Sequence, residues 1–183
     1  MTRIRTHIGV SVDGFISDPT GLPAWDAAPD WDQGSSYGYP EFSAPNRGVI
    51  IGRNTFDFGH MYWETEDQWP WEGQNVFVLT SRPLPERRPP LVVAPPGGAA
   101  GLVEHVRNAG LDGDVQLLGG AQAIRSVLEL GAVDELGIVV LPILLGDGTP
   151  LWSPGLTPGR LRLERQQVFP DGAVHTVYTV SGE

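Results

Sequence analysis

Val115-Gln-Leu-Leu-Gly-Gly-Ala-Gln-Ala-Ile124 is the stretch on which the reading of the fold turns. Val115, Leu117 and Leu118 form a short apolar run that breaks at Gly119-Gly120. A helical pattern follows at once, with Ala121, Ala123, Ile124, Val127, Leu128 and Leu130 closed by Gly131. This predicts a strand, a glycine turn and a helix start in direct succession. Glycine has no Cβ, so a ligand can approach the backbone closely there. The first amides of a helix have no partner within it and favour an anion, here phosphate or pyrophosphate. A Gly-Gly pair also serves as a plain tight turn, so the decision rests on the rest of the chain.

Two other apolar runs read as strands buried on both faces: Gly48-Val-Ile-Ile-Gly52 and Asn75–Thr80. Arg53-Asn-Thr-Phe-Asp-Phe58 opens a helix directly after the first. Arg3–Val12 alternates as a strand, Asp13-Gly14 turns it, and Phe15-Ile16 resumes it. Ser17 to Gly38 is a long polar segment holding Trp25 and Trp31, either a lid over a site or a flap packed on the core. Tyr39–Ala44 is a short helical turn carrying Glu41, and His60 to Gly73 reads as a second irregular segment, with Trp63, Trp69 and Trp71. Leu91–Ala94 is a short strand and Ala99–Asn108 a helix. Asp134–Leu145 is strongly apolar and β-branched, with Pro142 at a bulge or edge position. Leu161–Phe169 and Ala173–Val180 are two arms of a hairpin joined at Pro170-Asp-Gly172. Strands alternating with helices and then a terminal hairpin imply an α/β fold. Its central sheet is mostly parallel and flanked by helices, with an antiparallel C-terminal hairpin. No linker divides residues 1–183, so a single domain is expected.

The charge balance narrows the function. The chain has a net charge of −10 and no cysteine, and all twelve of its basic residues are arginines. A polyanion such as nucleic acid would be repelled by most of such a surface. Without lysine there is neither Schiff-base chemistry nor a P-loop lysine. The four histidines show no pair at ligand spacing, so no metal site is expected. The N-terminus lacks the apolar core of a signal peptide, and no run approaches a membrane span. A cytoplasmic protein with no membrane partner is expected.

Three strand ends carry the polar and glycine residues: Gly52-Arg53-Asn54-Thr55, Thr80-Ser81-Arg82, and Leu118-Gly119-Gly120-Ala121-Gln122-Ala123. In an open α/β sheet, ligands sit beyond the carboxyl ends of the strands. Two arginines, hydroxyl groups and a helix N-terminus together suit a phosphorylated dinucleotide.

The order of these motifs resembles the dihydrofolate reductase fold, and is more closely similar to the reductase domain of riboflavin biosynthesis. Ser11-Val-Asp-Gly-Phe-Ile16 is similar to that group's Ser-Leu-Asp-Gly opening, and Asp134 to Gly148 to its penultimate region. The resemblance covers nearly the whole chain. It implies NADPH as hydride donor and a small pterin-like or pyrimidine-like heterocycle as acceptor. On that resemblance Arg53, Ser81 and Arg82, with Thr80 beside them, hold the 2′-phosphate end. Gly52, Thr55, Leu118 and the amides of Gly119, Gly120, Ala121, Gln122 and Ala123 hold the pyrophosphate. Ile16 and the first-strand backbone near Gly9 and Val10 face the nicotinamide, and Thr149 lies near the ribose or carboxamide. The Ser17–Gly38 segment corresponds to the mobile loop of that fold, and a homodimer is implied.

A reductase of this kind holds two flat rings face to face and needs a proton source. Asp13 and Glu41 are the carboxyl candidates, beside Tyr39 and an ordered water. Asp13 also suits a plain Asp-Gly turn, and Glu41 a solvated position. Trp25, Trp31 and Phe56 are the expected substrate contacts, with Trp63 and Trp152 as further aromatic candidates. The rival is a nucleotide-binding or regulatory module that kept the sheet without turnover. A flavin-type ligand in the same crevice is a third reading.

Overall fold

The computed structural model describes the chain apart from Met1, residues 29–35, Ser153, Pro158 and residues 182–183. In chain order the first elements are β1 (Ile4–Ser11), β2 (Phe15–Ser17), α1 (Ala24–Ala27), a 3-10 turn (Ser36–Gly38) and α2 (Tyr39–Ser43). β3 (Asn46–Gly52), α3 (Arg53–Glu66), β4 (Asn75–Leu79), β5 (Val92–Val93), α4 (Gly98–Asn108), β6 (Asp114–Gly119) and α5 (Ala121–Glu129) follow. β7 (Glu135–Leu141), β8 (Thr149–Pro150), β9 (Arg160–Val168) and β10 (Val174–Ser181) complete the chain. They fall into two units: residues 1–4 with 45–132, and residues 5–44 with 133–183.

The first unit is a βα assembly. Its strands lie in the order β5-β4-β3-β6, every pair parallel. Parallel strands need crossover connections, and here α3 and α4 supply them. Val49, Ile51, Phe56, Val76, Val78 and Val92 form one continuous buried cluster. Ile50 and Leu117 are also fully buried, so these runs are apolar on both faces, as their sequence implied. α4 buries Leu102 and Val106, and α5 buries Ala121, Ala123, Ile124 and Val127, which are helical stripes at the expected spacing.

One element is longer than the sequence indicated. His60 to Gly73 was expected to be irregular, yet α3 continues to Glu66. Phe56, Gly59 and His60 form its buried stripe, and Trp71 lies against Gly59, where a Cβ would come within 2.7 Å of the indole. Glycine and aromatic residues are poor helix formers, so packing rather than propensity holds this part of the helix. It ends at Asp67 in the left-handed conformation.

The second unit holds β1, β7, β10 and β9 in that order. β1 and β7 are parallel, while β10 runs antiparallel to both β7 and β9. The terminal hairpin is as expected. β7 ends at Leu141 rather than Leu145, because Pro142 has no amide to continue the ladder. Ala24, Tyr37, Val139, Leu141 and Ala173 form this unit's buried cluster. The polar Ser17–Gly38 segment is not wholly irregular, since it contains α1 and the 3-10 turn. No described helix is long and apolar enough to cross a membrane.

Phe56 is fully buried among the first unit's strands. Replacing it with alanine is expected to cost about 3–5 kcal/mol, measured as a drop in the urea midpoint at unchanged slope.

Candidate functional site

The register of the first unit brings its three turns to one end. Gly52 is opposite Leu79 on β4, and Ile51 is opposite Gly119 on β6. All three strands are parallel, so the residues that follow them emerge side by side. A Cβ on Gly52 would lie 3.5 Å from the Gly120 amide nitrogen and 3.7 Å from the Gly119 carbonyl oxygen. The Ala123 and Ile124 amides donate to the Gly120 carbonyl at 2.9 and 3.2 Å. The amides of Ala121 and Gln122 therefore precede the first bonds of α5 and are its anion-seeking end. The amide of Ala123, expected among the pyrophosphate donors, is engaged inside the turn.

Arg53 opens α3 and reaches across to the next turn. Its Nε donates to Asp57 Oδ1 at 2.6 Å, and its Nη1 to the Pro83 carbonyl at 2.9 Å. Arg82 approaches the other oxygen of the same carboxylate, Nη2 to Oδ2 at 3.4 Å. Arg53 is mostly covered, while the side chain of Arg82 is 58% exposed. An ion pair that exposed is worth little, so a phosphate can take Arg82 from Asp57 at small cost. The Thr80 hydroxyl accepts the Arg82 amide at 3.0 Å and shapes the turn. Beside it lies an open cavity of about 480 Å³ whose lining includes Thr80, Ser81, Arg82, Arg88 and Pro95. That is an ordinary size for a cofactor pocket. Asp57 and Arg88 were missed from the sequence. The spacing of Arg53 and Asp57, four residues apart on a helix, was the available signal for the first. Thr55 is half-buried in the first turn of α3, Leu118 is half-buried, and Gln122 is exposed.

The residues expected to serve the nicotinamide are in the second unit. Val10 is buried on β1. Ile16 is half-buried on β2, which pairs with β8 through Ser17 and Thr149. Asp13 accepts the amides of Gly146 at 2.7 Å and Leu145 at 3.2 Å. The Ser11 hydroxyl, with those amides, holds its carboxyl below the usual range, so it stays ionised. Glu41 is exposed in the first turn of α2. Trp25 is half-buried on α1, whereas Trp31 lies outside the described residues. Phe56 belongs to the core of the first unit. Among the described residues no group of three His, Cys, Asp or Glu could hold a metal ion.

Two histidines far apart in the sequence meet in this unit. His7 on β1 and His175 on β10 are 4% and 6% exposed, with ring centroids 4.6 Å apart, edge to face. Both nitrogens of His7 and Nε2 of His175 are buried without a hydrogen-bond partner among the described residues. Burial, then the neighbouring His175, Arg165 and Arg5, pushes His7 down to about 3. Burial and Arg165 push His175 down to about 4, against the opposing pull of Glu135. Both rings are neutral near pH 7. A separation of 168 positions left no local sign of the pair.

A family model described as the RibD C-terminal domain matches residues 72–175, more than half of the chain, and the chain belongs to that family. YyaP of Bacillus subtilis (strain 168), an uncharacterized protein, is 27% identical over 187 residues, covering 98% of this chain and 96% of its own. A solved protein from Shewanella sp. PV-4, named for riboflavin biosynthesis, is 25% identical at a TM-score of 0.79, over 100% of both chains. Dihydrofolate reductase from Enterococcus faecalis, complexed with NADP(H) and RAB-propyl, has a TM-score of 0.65 at 15% identity, over 98% of this chain and 97% of its own. The fold is dihydrofolate reductase-like.

The buried imidazoles set the acid response. Unfolded, each takes a proton near 6.5; folded, at about 3 and about 4. Between those values the unfolded chain binds more protons, so stability falls as pH drops below 6.5 and is level above it. Urea unfolding at pH 7.5, 6.5 and 5 is expected to show that slope, and the His7→Leu/His175→Leu double variant to flatten it.

Proposed function

We propose that the protein is an NADPH-dependent reductase that transfers a hydride to a pterin-like or pyrimidine-like heterocycle. The observation that carries this reading is the convergence of Arg53, Arg82 and the start of α5 at one end of a parallel sheet. On an acidic chain this gathers positive charge where a phosphorylated ligand needs it. Family membership and the NADP(H) complex of the Enterococcus reductase support the choice of ligand.

The residues fit such a cofactor. Arg82, with Thr80 and Ser81 at the cavity, is assigned to the 2′-phosphate, which Arg53 supports by bracing the loop through Asp57 and Pro83. Gly52, Gly119 and Gly120 keep the backbone open for the pyrophosphate, which the amides of Ala121 and Gln122 receive. Bound there, NADPH supplies the hydride. Asp13, ionised and tied to the Gly146 turn, is a positioning residue in this scheme. Glu41 or water delivers the proton.

The engaged state of Asp13 and the exposure of Glu41 also favour the rival, a module that binds nucleotide without turning it over. Tryptophan quenching by NADPH, followed by cofactor oxidation with pteridine and aminouracil substrates, separates the two. Binding without oxidation of any substrate supports the module.

We also propose a homodimer built on β9. All nine residues of that strand are exposed, including Leu161, Leu163 and Val168 at 44%, 48% and 69%. An exposed edge of this length can serve as a pairing template, although β9 carries four charged residues and a bulge opposite Val177 and Tyr178. Arg162 and Glu164 flank Leu163 and pair at 2.8 Å. A two-fold axis at Leu163 sets each against its opposite in the second copy, so the edge is self-complementary.

Arg82→Ala is expected to weaken NADPH by about tenfold or more and leave NADH unchanged; an unaltered affinity ratio removes the phosphate assignment. Leu163→Asp is expected to give a monomer by light scattering from a dimeric parent.

A further inference from the structure

The terminal hairpin of the second unit sorts its charge by face. Residues directly opposite on an antiparallel ladder point to the same side of the sheet. His175 and Val177 of β10 therefore share one face with Val139 and Gly137 of β7, and with Gln167 and Arg165 of β9. Thr176 and Tyr178 share the other with Ile138 and Leu136, and with Gln166 and Leu163. Strict alternation along β9 would not keep that division. The bulge opposite Val177 and Tyr178 skips Glu164, so Gln166 and Val168 stay on the face of Leu161 and Leu163.

The charged groups of these three strands all lie on the first face. Arg162 is opposite Thr179, and Arg160 is opposite Ser181. The Glu164 carboxylate accepts the Thr179 hydroxyl at 2.8 Å and pairs with Arg162 at 2.8 Å, so the bulge residue turns the same way. Arg165 reaches Glu135 at 3.4 Å. The helices of the unit are on this side too. Trp25 of α1 stacks parallel to His7, which is opposite Gly137, and Phe42 of α2 has its ring 5.2 Å from the same imidazole. Neither helix covers the second face. Along β7 and β10 that face is half-buried at Ile138, Val140, Val174 and Tyr178, and on β9 it is open at Leu161, Leu163 and Val168.

A broad apolar surface of this kind marks a docking face. Charge selects its occupant. Copies of a chain with a net charge of −10 repel one another, and contact over a charge-free face brings no like charges together. Transient foreign partners are ordinarily steered by complementary charge, whereas homodimer contacts are the more apolar class. Identical faces also share one twist, so a two-fold axis between them stacks the sheets as aligned layers about 10 Å apart. We infer that a second copy of the chain covers this face, sheet on sheet, with Thr176 and Leu163 inside the contact and the β9 edge at its rim. The inference rests on the homodimer reading for its stoichiometry, and goes beyond it in placing the contact on the face of the hairpin instead of along the strand edge.

Sedimentation of the full chain at micromolar concentration separates the two contacts. Thr176 is on the face, one strand in from the edge, while Arg162 is on the edge strand and points to the opposite face. Thr176→Glu sets a charge into the dry contact and is expected to weaken the dimer about hundredfold or more, giving a monomer. Arg162→Glu breaks the pair with Glu164 and is expected to stay dimeric. A dimeric Thr176→Glu or a monomeric Arg162→Glu overturns the face contact and leaves pairing along the edge as the homodimer. A monomeric wild type removes the homodimer itself, and with it the second copy as occupant. Thermal unfolding shows whether each variant is folded. Should Thr176→Glu fail to fold, Val168→Glu carries the comparison, since Val168 is 69% exposed and accepts a charge in the single copy. Hydrogen exchange of the wild-type dimer gives an independent reading. The outward amides of β9 are expected to exchange freely, and their protection overturns the face contact.

Discussion

A single carboxylate, Asp57, stands between two guanidinium groups, 2.6 Å from Arg53 and 3.4 Å from Arg82, and orders the end of the parallel strands. Without it, two cations would face each other across adjacent turns. With it, Arg53 is held against the Pro83 carbonyl and the loop after β4 is drawn toward α3. The contact is local in one direction, four residues along a helix, and non-local in the other. It couples the position of the cavity to the start of the helix. Because Arg82 stays mostly in solvent, the pairing organises the loop without locking that arginine away from a ligand.

The two units handle polarity in opposite ways. In the first, β3, β4 and β6 are buried on both faces, so polar groups have no place along the strands and collect where the strands end. This is the usual position of a ligand site in a parallel sheet. In the second, β1 alternates, and one of its faces carries Arg5, His7 and Ser11 into the interior, all at or below 4% exposure. Some of that polarity is matched: Arg5 donates to the Phe42 carbonyl at 2.8 Å and approaches Glu135 at 3.5 Å. Both nitrogens of His7 and Nε2 of His175 beside it have no hydrogen-bond partner among the described residues. Natural cores carry such costs mainly at functional positions.

Much of this architecture could be read from residue order. The run Val115–Leu118 with Gly119-Gly120 became β6, the turn and α5 as expected, and Gly48–Gly52 with Arg53 became β3 and α3. The terminal hairpin turned at Pro170-Asp-Gly172, because that chemistry suits only a turn. The second half of α3 was hidden: Trp63 and Gly59 are weak helix formers, and tertiary packing supports them, Trp69 and Trp71 against Gly59 and Arg87 over Trp63. Phe56 looked like a pocket aromatic but faces the core, since direction around a helix is settled by what packs on it.

The residue order alone determined the alternation of strands and helices, the glycine turns and the arginines that follow them, because these follow from local periodicity, backbone freedom and chain direction. Only the tertiary structure decided that Asp57 joins Arg53 to Arg82, that Asp13 holds the turn at Gly146, and that His7 meets His175. Each of these depends on segments distant in sequence brought together by sheet register. Register is a property of paired strands that no single stretch contains.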